Sequence, residues 1–150
     1  MSFEEKMTWV TTVIFIAVTA WYSVTVMSQL GEVQASEIAY QIPMIIAVVI
    51  TIALSIAGAI VMAIGTAIAA EVTGNGSVDE IDRKDERDIQ IGRRGDLVGY
   101  YVSSAGVVGV LGLTMLEYDY FWIANALYLS FAIGSIVGAV VKLAAYRRGF

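Results

Sequence analysis

"PMIIAVVITIALSIAGAIVMAIGTAIAA", residues 43–70, runs for 28 positions without an Asp, Glu, Lys or Arg. As a helix it would reach about 42 Å, more than the roughly 30 Å hydrocarbon core of a bilayer. Pro43, the only proline in the chain, stands at the start of the run, where a first helical turn tolerates it. Three further blocks have the same character: Thr8–Ser28, Leu97–Leu116 and Phe121–Ala145. Together the four contain no Asp, Glu or Arg, and their one Lys, Lys142, lies near an end. Each matches or exceeds the roughly 20 residues a crossing requires.

The chain's 150 residues are 58% hydrophobic and only 15% charged, well below the about 25% usual for a soluble domain. The expected fold is therefore all-α: a single domain, residues 1–150, forming an integral membrane four-helix bundle with spans at about 8–28, 43–70, 97–116 and 121–145. Residues 71–95 form a connector between the second and third spans. The first block exceeds the roughly 7–15 residues of a signal-peptide core, and its flank "MSFEEK" is as acidic as it is basic, so it reads as a retained helix.

Basic residues set the expected orientation. Lys6 precedes the first span, Arg83, Lys84, Arg87, Arg93 and Arg94 lie in the 71–95 connector, and Lys142, Arg147 and Arg148 close the last span. The connectors 29–42 and 117–120 carry only acids: Glu32, Glu37, Glu117 and Asp119. The positive-inside rule then places both ends and the 71–95 connector in the cytoplasm, with localisation in a bacterial inner membrane. Trp21, Tyr22, Tyr40, Tyr118, Tyr120 and Trp122 fall toward the outer interface, and Trp9, Tyr100, Tyr101 and Tyr146 toward the inner one.

The connector concentrates the charge. "SVDE" offers a capping box from Ser77 to Glu80, and the following "DEIDRKDERDIQI" pairs Asp79 with Arg83, Glu80 with Lys84 and Lys84 with Asp88 at i,i+4. A short helix is expected there, interrupted or hinged at Gly92 and Gly95, with Asp96 as N-cap of the third span. Asp85, Glu86, Arg87, Asp88, Arg93, Arg94 and Asp96, with Arg147 and Arg148, are the candidates for a docking surface or for salt bridges locking the last two helices. A solvated, self-paired spacer helix explains the same charges.

Within the spans, small residues recur at close-packing intervals. Ala126, Ser130, Gly134 and Gly138 follow one another by four, Gly99 precedes Ser103, and Ala105 precedes Gly109, with Gly106 and Gly112 nearby. Ala53 with Ala57 and Gly65 with Ala69 repeat the spacing in the second span. Such faces let helix backbones approach, within one chain or between copies. At the outer end Asp119, Trp122 and Asn125 are candidates, Asn125 as an interhelical hydrogen bonder.

What is missing narrows the chemistry. The chain has no Cys and no His, which removes disulfides, thiolate metal sites, Cys nucleophiles and the commonest general base near neutral pH. No ionisable side chain falls at mid-span, where it would mark an ion path. The acids at 79–88 lack the glycine and terminal glutamate of a calcium loop, and no G-x-x-x-x-G-K occurs. No cofactor, metal or nucleic-acid partner is expected. The preferred reading is a non-enzymatic, self-associating or accessory membrane bundle, its partners the lipid bilayer and either further copies or another membrane or cytosolic protein docked on the connector. A small homo-oligomeric channel or transporter, lined by Ser103, Ser104, Thr66, Ser130 and Ser135, is the alternative. A membrane enzyme would have to rely on Asp, Glu, Ser or Tyr near an interface.

"KDERDIQIGRRGDLVG", "DYFWIANALYLSF" and "VVKLAAYRRGF" resemble a group of small uncharacterised four-helix membrane proteins of actinobacteria and proteobacteria. Those chains share a D-x-R-D-x-x-I-x-R-x-G signature, an F-W-I-A-N run and an A-Y-R-R-G ending. A looser likeness is to membrane domains of unknown function with a D-E-R motif before a span. The resemblance implies that the charged connector and the Asp119–Asn125 segment are recurring features, and it implies no activity. Tyr120 stands where many of those chains have histidine.

Overall fold

The four apolar blocks become four long helices in the computed structural model, which describes residues 3–73 and 86–148. They are α1 (Phe3–Met27), α2 (Gln41–Thr73), α3 (Glu86–Met115) and α4 (Tyr120–Arg148). All four are long and apolar enough to cross a membrane, the pattern of a multi-pass membrane protein. The capping box and the i,i+4 pairs drawn above rest on residues 74–85, outside the described residues.

Successive helices run antiparallel. Val10 and Ile14 of α1 stand against Gly58 of α2, while Val18, Tyr22 and Val26 share a buried cluster with Ile38 and Ala47. Gly95 of α3 meets Gly138 and Lys142 of α4, and Gly106 meets Ser130. The result places Phe3, Glu86 and Arg148 at one end, here the charged end, and the 28–40 and 116–119 connections at the other, the far end.

The packing is an open row. α1 and α4 lie side by side in the centre, α2 packs on the outer flank of α1, and α3 packs closely along α4. Contact between α2 and α3 is marginal at most. The core accordingly sits at the far end, where Tyr22, Val26 and Phe121 are almost wholly buried. The 28–40 connection closes it from below: a short 3-10 turn, Ala35–Glu37, sets Ile38 into the cluster, with Leu30, Ala35 and Tyr40 packed around it. Tyr40 meets the Phe121 ring edge-on at 5.5 Å.

The α3–α4 turn is tight. Glu117 takes a left-handed conformation, φ 56°. The Tyr118 amide donates to the Leu113 carbonyl at 3.1 Å, the bond that satisfies a terminal carbonyl when a helix ends this way. The Asp119 carbonyl then accepts from Trp122 and Ile123 at 2.9 and 3.3 Å and opens α4.

Several expectations are corrected by the backbone. Gly92 and Gly95 interrupt nothing: α3 is one helix from Glu86, so Asp96 lies inside it and is no N-cap. Gly can remain helical where a neighbour packs on it, and Gly95 is buried against α4. Gly109 faces open space, as do Gly112 and Gly65, so none of them packs within the chain. In α2 the contact is made by Gly58, while Ala53 and Ala57 are exposed. Tyr22 is no interface anchor, since its ring is wholly buried.

Candidate functional site

Two features of the charged end bear on function: the charged start of α3, and a groove between α1 and the α3–α4 pair. Both depend on how tightly α3 and α4 meet. A methyl carbon placed on Gly99 would lie 2.7 Å from the Gly134 carbonyl oxygen, and one on Gly134 would lie 2.7 Å from that of Gly99. One on Gly138 would lie 2.8 Å from the Gly95 oxygen. Nothing larger than glycine fits at these crossings, and Ser103 and Ser130 pack at the neighbouring turns. Backbone-to-backbone packing of this kind holds helices together where lipid gives no hydrophobic drive.

The seam continues beyond the apolar block. Ile91, one turn before Gly95, is 2% exposed, so the same helix face stays covered before the apolar block begins at Leu97. Glu86, Arg87, Ile89, Gln90, Arg93 and Arg94 occupy the exposed faces of these turns. Arg87, Gln90, Ile91 and Arg94 line a recess of about 220 Å³. Asp88 is half-buried. Asp85 lies outside the described residues. The start of α3 is thus helical with one face covered, and carries charge of both signs on its exposed faces.

An interhelical ion pair joins Asp96 and Lys142. Lys142 Nζ lies 2.7 Å from Asp96 Oδ1, one helical turn from the glycine crossings, with the lysine side chain 24% exposed and the carboxylate 74%. Arg147 instead sets its guanidinium 5.6 Å from the centre of the Trp9 ring, a cation–π contact tying α4 to the start of α1. Arg93 and Arg148 are exposed.

Below the ion pair, α1 parts from α3 and α4 and leaves a groove of about 410 Å³. Thr8, Thr11 and Thr12 line it from α1, Asp96 and Ser103 from α3, and Ser135 and Lys142 from α4. The threonine hydroxyls donate to their own helix: Thr8 to the Glu4 carbonyl at 2.8 Å, Thr11 to Met7 at 3.0 Å, and Thr12 to Thr8 at 2.5 Å. A carbonyl can only accept, so each hydroxyl spends its proton there and keeps lone pairs to offer. Sequence reasoning missed this groove, although Thr8, Thr11 and Thr12 share one helical face by spacing.

At the far end the Tyr22 hydroxyl donates to Asn125 Oδ1 at 2.7 Å, and Asn125 Nδ2 donates to the Phe121 carbonyl at 2.8 Å. Asn125 is 2% exposed, so this pair is a buried link between α1 and α4. The Tyr128 ring packs on Tyr22 at a tilt of 57°, with ring centres 4.6 Å apart. Asp119 and Trp122 are exposed beside it. Among the described residues, no three carboxylates gather closely enough to hold a metal ion.

No protein-family model matches the chain, and no curated protein or solved structure matches it. Functional inference therefore rests on the geometry.

Proposed function

We propose that the chain is a non-enzymatic, multi-pass protein of the bacterial inner membrane whose charged end faces the cytoplasm and docks a protein partner through the start of α3. The observation that carries this reading is the continuous helix from Glu86 into the apolar block. It presents Glu86, Arg87, Gln90, Arg93 and Arg94 on a helix whose opposite face is covered at Ile91 and Gly95. A spacer would need neither the unbroken helix nor the glycine seam that anchors it. Electrostatic complementarity on such a surface confers specificity and association rate more than affinity.

The chain's lack of cysteine makes the test direct. A single cysteine at Gln90 should react with an impermeant maleimide only from the cytoplasmic side of inner-membrane vesicles. A photo-crosslinker at the same position should give a discrete heterologous adduct that R87E/R93E abolishes. Labelling from the outer side, or adducts that persist in R87E/R93E, would overturn the proposal.

A homo-oligomeric channel or transporter is the second reading, favoured by the open faces at Gly109 and Gly112 on α3. Ser103 and Ser130 lie in the α3–α4 seam, which leaves Ser104, Ser135 and Thr66 as the hydroxyls for a shared pathway. Native mass spectrometry of the gently solubilised protein separates the readings. A defined homo-oligomer supports the channel, and a monomer or a complex with a different protein supports docking.

A further inference from the structure

We infer that the groove between α1 and the α3–α4 pair is a binding site for one phospholipid with a primary-amine zwitterionic headgroup, phosphatidylethanolamine. This goes beyond the docking role of α3 and rests only on the helices lying in a bilayer. The groove's volume, about 410 Å³, is that of a site for a small ligand, so it takes the headgroup while the acyl chains lie outside it in the bilayer. Its charged mouth lies at the depth of headgroups. Lys142 is 22 residues from the start of α4 at Tyr120, about 33 Å along the helix, and a hydrocarbon core is about 30 Å thick. From Lys142 the groove runs along α4 past Gly138 and Ser135 to Gly134, about 12 Å deeper, where Phe15 and Phe131 supply apolar wall.

The chemistry of the lining selects the headgroup. Asp96 and Lys142 are a neutral pair that offers both signs at one place, with the carboxylate largely exposed. A headgroup of net charge gains on one partner and is repelled by the other, whereas a dipolar one can set its phosphate on the Lys142 ammonium and its own amine on Asp96. The threonines sharpen the choice. Thr8, Thr11 and Thr12 have given their protons to α1 carbonyls, so what they offer the groove is acceptors. A primary ammonium brings three N–H donors to that surface, and a choline headgroup brings none. A glycerol headgroup leaves the carboxylate without a cation.

The experiment uses the full chain, delipidated and then offered equimolar phosphatidylethanolamine, phosphatidylcholine and phosphatidylglycerol of matched acyl chains, with bound lipid read by native mass spectrometry. The expected result is one retained phosphatidylethanolamine, favoured over phosphatidylcholine by about tenfold, the scale of a charge-assisted hydrogen bond. D96N should lower that ratio severalfold, the threonine acceptors keeping a residual preference for the amine. Because D96N also breaks the Lys142 pair, S135L provides a second variant. It fills the groove from an exposed position of α4, leaves the pair untouched, and should remove the retained lipid of every class. Equal retention of the amine and choline lipids, preferential retention of phosphatidylglycerol, or an unaltered preference in D96N and S135L would each overturn the assignment.

Discussion

The same substitution, glycine to alanine, should have opposite consequences at two positions ten residues apart in α3. At Gly99 the new methyl would stand 2.7 Å from the Gly134 carbonyl oxygen, where ordinary contact begins at 3.4 Å. The obstacle is backbone, so no side chain can swing aside. The helices must separate by about 0.7 Å, and a gap of that size forfeits about a quarter to a half of each dispersion contact along the seam. With each atom pair worth about 0.1–0.2 kcal/mol, the loss over several turns comes to about 1–2 kcal/mol. Helix propensity recovers up to about 1 kcal/mol, and overpacking strain of about 1–3 kcal/mol opposes it. G99A should therefore be destabilised by about 1–4 kcal/mol. At Gly109 nothing lies within 4 Å, so G109A meets no obstacle and should be neutral or slightly stabilised. Reversible unfolding in mixed micelles, followed by circular dichroism, measures both. Equal effects at the two sites would refute the seam, and a large loss in G109A would mean that this face is covered by another protein.

Two further outcomes follow from the same packing. Y22F leaves Asn125 Oδ1 buried without its donor and should cost about 0.6 kcal/mol and at most about 1.7, the average and maximum for hydrogen bonds within a membrane bundle, with much of that loss absent when N125L is already present. R93A should leave stability within about 0.5 kcal/mol, because Arg93 is exposed and Asp96 and Lys142 already pair α3 with α4. A loss above about 1 kcal/mol in R93A would place Arg93 among the groups that lock the helices.

The helices were legible because apolar length is a one-dimensional signal. A run such as 43–70 fixes a helix whatever its neighbours do, and the structure makes α2 there. Glycine spacing was legible in part. It marked Gly99, Gly134 and Gly138, which do meet, and equally Gly109 and Gly65, which face open space. Spacing says which residues share a face but not which way the face turns, and that is decided by the partner helix. The start of α3 was misread for a related reason. Gly92 and Gly95 weaken a helix in water by about 1 kcal/mol each, but Gly92 meets open space and the flanking contacts of Ile91 and Gly95, the latter packed on α4, outweigh a propensity of that size. Tyr22 reads as an interface aromatic from its place near a span's end, and its partner Asn125 stands 103 residues away, beyond any local pattern.

The exposure of α2 can be given a meaning that decides between lipid and protein as its neighbour. Ile45, Val49, Ile52, Ile56 and Ile60 are all more than a third exposed, in a helix that, among the described residues, touches only α1 to any extent. On a soluble protein an apolar face of that extent would mark an interface. In a bilayer the acyl chains solvate it, and truncating one of its side chains merely exchanges one hydrocarbon neighbour for another. I56A, at a side chain 57% exposed, should then change stability by less than about 0.5 kcal/mol, because lipid flows into the vacated volume and no cavity remains. If a second copy or another membrane protein covers this face, the same truncation leaves a protein-walled void and costs about 2–5 kcal/mol. Unfolding measured in the solubilised protein at two concentrations distinguishes the cases. A small, concentration-independent change places α2 against lipid, and a large loss that grows on dilution places it inside an assembly.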